Sequence, residues 1–298
     1  QGRRGCAGRE RREGWRRTEG PGRTDERGYS VTGSGQKVWR GPVALGAIQV
    51  TDSLLVGIAD VPTGIRPDPR LVSARACWYS LGFLLREAAA RLLDIQSREL
   101  RVGLRVTAEG HEAHGEIFLA DDLENGAGYA THIGQPEEFS RLVGETRDFV
   151  DFLATPPHAE TCEASCYDCL RDYYNMAYHP LLDWKLGRDM LALIEGATID
   201  LSVWAREEED LSHRFAEDFA GSPMALDSVQ GVDLDDRVLL LTHPLEDQRP
   251  EYLSPRLANA MAAAEDLGFG DLAGRPIVFA HSFDLLRRPG WVAGRVLG

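Results

Sequence analysis

The chain has 298 residues, of which 33 are Lys or Arg and 47 are Asp or Glu, so its formal net charge is −14. This balance argues against a simple basic nucleic-acid-binding domain, and no apolar run approaches the roughly 18 residues that span a bilayer. No signal peptide opens the chain, and five cysteines in so long a chain argue against a disulfide scaffold. We therefore expect a cytoplasmic protein of one large domain or two small ones.

The charge is unevenly distributed along the chain. Residues 70–105 carry seven Arg against three acids, whereas residues 200–251 carry fourteen acids against four Arg. A phosphate backbone could contact the basic stretch while the acidic one faces elsewhere, although solvated helix faces would show the same pattern.

Residues 1–40 predict a basic tail that is disordered or an artefact of gene calling, because they show almost no apolar periodicity. Strand-like segments follow at 43–50 and 53–60. The clearest helix is expected at 71–93, where apolar residues recur at three- and four-residue steps. Cys77 lies on this apolar stripe, which predicts a buried thiol rather than a metal ligand.

Residues 100–107 and 116–121 are predicted strands, and the second ends in the Gly-rich turn Gly126-Ala127-Gly128. Such a turn before a helix can present backbone N–H groups to a phosphate, or it can simply let the helix pack closely on the sheet. We favour the tight turn.

The remaining elements alternate between helices and short strands. The pattern predicts helices at 137–153, 167–176, 181–195, 203–220 and 253–267, strands at 237–242 and 277–280, and an acidic linker or long loop at 221–235. The strand–helix–strand order at the C-terminus indicates a βαβ-like unit.

Three of the five cysteines fall within eight residues, at Cys162, Cys166 and Cys169. The spacing C-x3-C-x2-C is typical of a zinc site, in which thiolates occupy the vertices of a tetrahedron. Three ordinary buried thiols, or a redox pair at Cys166 and Cys169, are the alternatives. Nothing in the loop demands an open coordination position, so the predicted Zn²⁺ is structural.

A closed zinc site needs a fourth ligand. His158 is the first choice because imidazole is a common fourth ligand and this residue lies four positions before Cys162. Glu160 and His179 remain possible. Cys6 lies in the basic tail and is a poor candidate.

Residues 162–183, read with the upstream segment 121–129 and the strand pair around Thr51-Asp52, resemble the zinc-binding C-terminal domain of bacterial superfamily 2 DEAD/DEAH-box helicases. The group includes the mitomycin-repair helicases, and a similar domain occurs in a helicase-partner protein of the DISARM phage-defence system. The resemblance covers roughly residues 43–195. Members often use four cysteines, but this chain has Glu160 where the first of them would stand.

The resemblance implies an accessory module that helps a DNA repair or phage-defence helicase hold a DNA strand beside its ATP-driven motor. The chain contains no phosphate loop and no DEAD or DEAH box, and it begins with Gln1 rather than Met. We therefore expect a C-terminal fragment without ATPase chemistry of its own, its motor being upstream or in a partner chain. No catalytic residue is assigned.

Cations and aromatic side chains alternate after the cysteine loop, as expected for single-strand binding. The cations are Arg171, Lys185 and Arg188, and the aromatic residues are Tyr167, Tyr173, Tyr174 and Trp184. The alternative is that the aromatics form the core of a small helical subdomain. Asp172 and Asn175 are expected to hydrogen-bond the loop backbone.

Two further functions are compatible with the pattern. His243, Glu246, His281 and Asp284 follow the C-terminal strands, where they could bind a metal for phosphodiester hydrolysis. The chain could also be a protein-interaction module that docks a helicase partner.

The predicted fold class is α/β in the α+β sense: a small mixed sheet with packed helices, a helical zinc-knuckle subdomain and a C-terminal βαβ-like unit. The predicted domains are the tail at 1–40, a helicase-associated zinc-binding domain at 41–196, and an acidic linker with a small α/β unit at 197–298.

Overall fold

The computed structural model describes residues 29–31, 37–39, 48–110 and 112–298 and divides the chain into two units, Gln1–Gln49 and Val50–Gly298. In the first unit, strands β1 (Tyr29–Val31) and β2 (Lys37–Trp39) pair antiparallel. This pairing corrects the prediction of disorder for these six residues, in which Tyr, Val and Trp favour strands. The rest of the predicted tail, including Cys6, lies outside the described residues.

A three-stranded antiparallel sheet begins the second unit. It contains β3 (Ser53–Gly57), β4 (Leu100–Glu109) and β5 (Glu112–Asp121), in the order β3-β5-β4. The strands predicted at 53–60, 100–107 and 116–121 are confirmed with shifted ends. Of the strand predicted at 43–50, only 48–50 is described, and it is irregular because the Val50 carbonyl accepts from the loop N–H of Asn125.

Helix α1 (Val72–Leu93) covers this sheet and confirms the helix predicted at 71–93. Its apolar stripe is buried against the sheet, and Cys77 is fully buried within it, as predicted. Gly82 brings the two layers close together, since a Cβ there would lie 2.6 Å from side-chain carbons of Val102 and Ile117.

Five helices follow the sheet in the chain. They are α2 (Tyr129–Ile133), α3 (Pro136–Leu153), α4 (His158–Thr161), α5 (Trp184–Ile194) and α6 (Ala205–Asp218). The helix predicted at 167–176 is wrong: the chain forms turns there, followed by a 3-10 helix at Met176–Leu181. Asp172 and Asn175 accept loop N–H groups with their side chains, and this competes with helical hydrogen bonding.

A four-stranded mixed sheet forms the C-terminal part. Its strands, in the order β6-β7-β8-β9, are β6 (Ser222–Leu226), β7 (Val229–Asp233), β8 (Val238–Thr242) and β9 (Ile277–His281). Helices α7 (Pro255–Asp266), α8 (Ser282–Arg287) and α9 (Pro289–Val296) accompany them. Strands β8 and β9 are parallel with α7 between them, which confirms the βαβ-like unit.

Residues 221–235 were predicted as a linker, but they form the β6–β7 hairpin. Asp227 supplies the positive φ of 52° that its tight turn requires. The many acidic residues of this segment obscure its apolar pattern in the sequence, although the hairpin buries Leu226, Val229 and Val232. The architecture as a whole is α/β with small sheets, as predicted. No helix in the described ranges is long and apolar enough to cross a membrane.

A buried charge cluster links α6 to α7. Arg256 pairs with Glu208 (2.9 Å) and with Glu246 (2.7 Å), and both carboxylates are at most 2% exposed. Burial raises the pKa of Glu208 to about 7, because desolvation and the nearby Glu246 charge outweigh the opposing effect of Arg256. The stabilisation from this carboxyl is therefore complete below its unfolded pKa of 4.5 and is lost as the pH rises through 7.

We expect Glu208→Gln to remove this pH dependence. The melting temperature of the variant minus that of the parent should rise between pH 5 and pH 8, by an amount corresponding to on the order of 2 kcal/mol. Differential scanning fluorimetry across that range, with the exposed neighbour variant Glu209→Gln as control, measures it. A difference that stays constant with pH would contradict the expectation.

Candidate metal centre

Two helices and the loop between them position the cysteine cluster. The loop leaves α3 at Leu153, makes the short helix α4, and returns to α5 at Trp184. The N–H of Trp184 donates to the Ala164 carbonyl (2.9 Å), and its indole N–H lies 3.4 Å from the Cys162 carbonyl. The cysteines therefore sit on a buried apolar base that comprises Phe149, Val150, Leu153, Leu170 and Trp184.

Four donor atoms converge in this loop. The ligand atoms of His158, Cys162, Cys166 and Cys169 all lie within 4.8 Å of one another. The Cys169 sulfur lies 3.9 Å from that of Cys162 and 3.7 Å from that of Cys166, and the Cys166 sulfur lies 3.6 Å from Nε2 of His158. A tetrahedron with zinc–sulfur and zinc–nitrogen bonds of about 2.3 and 2.0 Å gives separations of about 3.8 Å for S···S and 3.5 Å for S···N. The donors present therefore fit zinc in type and spacing.

The ring of His158 is oriented for this role. Its Nδ1 lies 2.9 Å from the carbonyl oxygen of Leu153, at the end of α3. A carbonyl only accepts hydrogen bonds, so Nδ1 carries the proton and Nε2 presents its lone pair to the cluster. The same hydrogen bond links helix α4 to the end of helix α3.

The other two candidates for a fourth ligand do not join the cluster. Glu160 is exposed on α4. Nε2 of His179 is instead engaged with the Asp172 carbonyl (3.1 Å) and with Oδ1 of Asn175 (2.8 Å). This network organises the turn after the cysteines, so Asp172 and Asn175 hydrogen-bond the loop backbone as predicted.

Burial disfavours the thiolate forms of Cys162 and Cys169. Burial raises the pKa of Cys162 to about 11 and raises that of Cys169 well above its usual value. A reactive thiol needs the opposite shift, toward the thiolate. A bound divalent cation would reverse this preference, because thiolates bind metal as anions.

The predicted nucleic-acid cations are engaged inside the protein. Arg171 donates to the Ser165 hydroxyl (2.9 Å) beside the cysteine loop. Lys185 pairs with Glu207, and Arg188 pairs with Asp189 (2.6 Å).

The aromatic residues divide into two groups. Trp184 is buried and belongs to the core, as the alternative reading predicted. Tyr167, Tyr173 and Tyr174 are about 70% exposed, so for them the core prediction is wrong. Tyr174 lines a groove of about 700 Å³ whose other walls carry Arg98, Arg101, Tyr129 and Tyr178. The sequence signal for this groove was the arginine-rich stretch 70–105.

The Gly-rich turn after β5 already holds an anion. The fully buried carboxylate of Asp121 accepts the N–H groups of Ala127 (2.6 Å), Gly128 (2.7 Å), Tyr129 (3.1 Å) and Ala130 (2.9 Å). Gly128 adopts a φ of 86°, which favours glycine. The turn is therefore an internal structural device, and its N–H groups are not available to a phosphate.

The C-terminal polar residues are buried and engaged individually. His243 contacts Asp189 (3.1 Å), Glu246 binds Arg256, and Asp284 pairs with Arg288 (2.8 Å). The fourth, His281, bonds the His243 carbonyl through Nδ1 (3.0 Å). Within the described ranges, only the cysteine loop brings three or more His, Cys, Asp or Glu ligand atoms together, so no nuclease-like metal site forms here.

Comparisons with known proteins include a family match to the segment that holds the cysteine loop. Residues 81–170, which contain all four converging side chains, match the family model of the MrfA Zn-binding domain. Druantia protein DruE of Escherichia coli (strain UMEA 4076-1) is 34% identical over 119 residues, which cover 38% of this chain and 6% of that protein. The crystal structure of DUF1998 helicase MrfA bound to DNA aligns with 56% of this chain and 20% of that chain, at a TM-score of 0.33 and 14% identity.

The matched segments are thus a small part of much longer relatives. The family match nevertheless includes all four residues of the cysteine loop whose ligand atoms converge. Residues 81–170 of this chain are therefore similar to the MrfA Zn-binding domain, and they contain a cluster of one histidine and three cysteines that could hold a metal ion.

Proposed function

We propose that the chain is a zinc-stabilised accessory module of a DEAD/DEAH-box-type DNA helicase, in which Cys162, Cys166, Cys169 and His158 hold one structural Zn²⁺. The observation that carries this proposal is the convergence of four donor atoms, all within 4.8 Å of one another, in the segment that matches the MrfA Zn-binding domain. The motor would be supplied in the same polypeptide or by a partner chain. The free thiols suit a reducing compartment such as the cytoplasm.

The donor set favours a structural role for the metal. Protein side chains would fill all four vertices, and catalytic zinc sites keep one position for water or substrate. When bound, zinc would cross-link α4 to the turn that precedes α5. Two hydrogen bonds of the protein itself also hold the cysteine loop. One joins the Trp184 N–H to the Ala164 carbonyl, and the other joins Nδ1 of His158 to the Leu153 carbonyl.

The strand-supporting surface would be the groove beside Tyr174. Arg98 is exposed and makes no ion pair with any described residue, whereas Arg101 pairs with Asp122 at the rim. Tyr174 is 72% exposed, so a base could stack on its ring. Glu99 also lines the groove, and its charge would limit contacts to the arginine side.

We expect the zinc-loaded protein to bind single-stranded DNA weakly, with an affinity that falls steeply with salt. Tyr174→Ala and Arg98→Ala should each weaken binding roughly tenfold, since stacking is worth about 1–3 kcal/mol per base. Fluorescence anisotropy with a 5′-hydroxyl oligonucleotide at several salt concentrations measures this. Arg141→Ala, which removes an exposed arginine on α3, is the matched control.

The same measurement distinguishes DNA-strand support from a second candidate function, the docking of a helicase partner. Tyr167, Tyr173 and Met176 are exposed next to the zinc loop, and exposed apolar groups of this kind favour protein contacts. Absent or salt-insensitive DNA binding by a folded, zinc-loaded chain would exclude strand support and favour a module that docks a helicase partner.

A further inference from the structure

A second cavity lies away from the zinc loop, where the segment after β3 meets the segment after β8. Its volume is about 280 Å³, and its walls include Arg66, Arg70, Arg249, Tyr252, Trp78 and His114. Neither the zinc site nor the proposed strand groove uses these residues. The cavity therefore calls for its own explanation.

Two arginines of the cavity, Arg70 and Arg249, are each held by an aspartate two positions earlier in the chain. The carboxylate of Asp68 accepts the backbone N–H (3.0 Å), Nε (2.9 Å) and Nη2 (2.7 Å) of Arg70. Asp247 binds Arg249 in the same way, at 3.0, 2.9 and 2.5 Å. Burial alone would raise the pKa of Asp68, but the hydrogen bonds from Arg70 outweigh it and lower the pKa to about 2. Each Asp-x-Arg clip thus orients a guanidinium with an ionised carboxylate behind it.

The two clips are joined by backbone pairing. Arg66 N–H donates to the Leu245 carbonyl (2.7 Å), and Asp247 N–H donates to the Gly64 carbonyl (2.8 Å). Gly64 has a φ of 84°, and a Cβ there would lie 2.6 Å from Ser254, so the backbones pack closely. Asp68 also accepts from Nη2 of Arg66 (3.0 Å). Arg66 and Arg249, which lie on the two paired segments, are consequently preorganised relative to each other, and this reduces the entropy lost when a ligand binds.

We infer that this cavity binds a phosphate group, with Arg66 and Arg249 as its principal donors. The side chains of Asp68 and Asp247 are 6% and 3% exposed, whereas those of Arg66, Arg70 and Arg249 are 29%, 49% and 38% exposed. The anions therefore lie behind the cations. Glu112 and His114 also line the cavity, and both are exposed.

The free donors match this ligand. Asp247 occupies Nε and Nη2 of Arg249, and Asp68 occupies only Nη2 of Arg66, while no described residue accepts from Nη1 of either. A guanidinium offers five N–H donors in a planar fork suited to phosphate oxygens. Arg249 also lies over the half-exposed ring of Tyr252, 4.2 Å from the ring centroid. The cavity has room for one nucleotide-sized phosphate ester.

The test uses the full zinc-loaded chain and isothermal titration calorimetry. Its probes are inorganic phosphate, AMP, and one single-stranded oligonucleotide with either a 5′-phosphate or a 5′-hydroxyl. The decisive variant is Arg66→Ala, because Arg70 still satisfies Asp68, so the fold is expected to survive. Arg249→Lys keeps the charge but loses the fork, and Arg141→Ala is again the control.

We expect at least one phosphate probe to bind, and both cavity variants to weaken that binding five- to tenfold at unchanged melting temperature. Binding of AMP identifies a free nucleotide as the source, and a preference for the 5′-phosphorylated oligonucleotide identifies a strand end. No binding by any probe, or equal binding by the parent and Arg66→Ala, would overturn the inference. Strand support through the groove is measured separately, with the 5′-hydroxyl oligonucleotide and the Tyr174 variant.

Discussion

Replacing Cys169 with serine is expected to release zinc and to lower the free energy of unfolding by on the order of 3 kcal/mol, roughly 5–10 °C in melting temperature. Cys169 has the most central donor, since its sulfur lies within 3.9 Å of two other sulfurs and accepts the N–H of Cys166 at 3.0 Å. It is also buried against Leu153 and Trp184. Losing it would open the coordination shell and detach the loop from α5.

Metal analysis of the purified protein measures the release of zinc, and Co²⁺ substitution reports tetrahedral thiolate ligation. Thermal melting measures the loss of stability. Cys77→Ser is the matched control, because Cys77 is fully buried on α1 but is not among the converging ligands. It should keep about one zinc per chain and lose only packing. A zinc content near one in Cys169→Ser would contradict the site.

Zinc analysis also tests which residue is the fourth zinc ligand. His158→Ala should weaken zinc binding at least tenfold, as removal of a ligand or its support commonly does. Glu160→Ala, two positions further along the same short helix, should leave it unchanged because that side chain is exposed. The reverse result would move the fourth ligand from His158 to Glu160.

Asp121→Ala is expected to destabilise the fold by on the order of 4 kcal/mol, because it leaves four N–H groups at the start of α2 without their acceptor. The carboxylate is fully buried, so water cannot readily replace it. Asp121→Asn keeps one acceptor oxygen and should fall between the parent and the alanine variant.

Urea denaturation of the zinc-loaded protein gives the magnitude. Asp122→Ala removes the next carboxylate, which is 43% exposed and pairs with Arg101, so it should cost less than about 1 kcal/mol. Similar losses in the two variants would show that the Asp121 hydrogen bonds contribute little. Zinc content should stay near one in both, which separates this effect from that of the cysteine loop.

Local patterns predicted a cluster of cysteines that, with His158, converges in the structure. The spacing of Cys162, Cys166 and Cys169 is a short-range property, and a turn can satisfy it without knowledge of the rest of the fold. Helix α1 and the β8–α7–β9 unit were likewise predictable, because their apolar periodicity extends over whole elements.

Side-chain hydrogen bonds and ion pairs explain where the structure departs from the predictions. The turns at 167–176 depend on side-chain hydrogen bonds from Asp172 and Asn175, which compete with a helix that the apolar pattern alone favours. The ion pair of Lys185 could not be inferred from charge order, because its partner Glu207 lies 22 positions further along the chain. Neither periodicity nor spacing reports which charges pair across the fold.

The sequence by itself therefore determined the chemistry of the chain: three closely spaced thiols with a neighbouring imidazole, and the helices and strands that frame them. Only the tertiary structure decided which side chains remain available to ligands. In the folded chain, the N–H groups of the Gly-rich turn donate to Asp121, and the tyrosines after the zinc loop are exposed. Arg66 and Arg249, which are far apart in the chain, line one cavity. The physical reason is that ligand spacing is a local covalent property, whereas burial and charge pairing depend on contacts between distant segments.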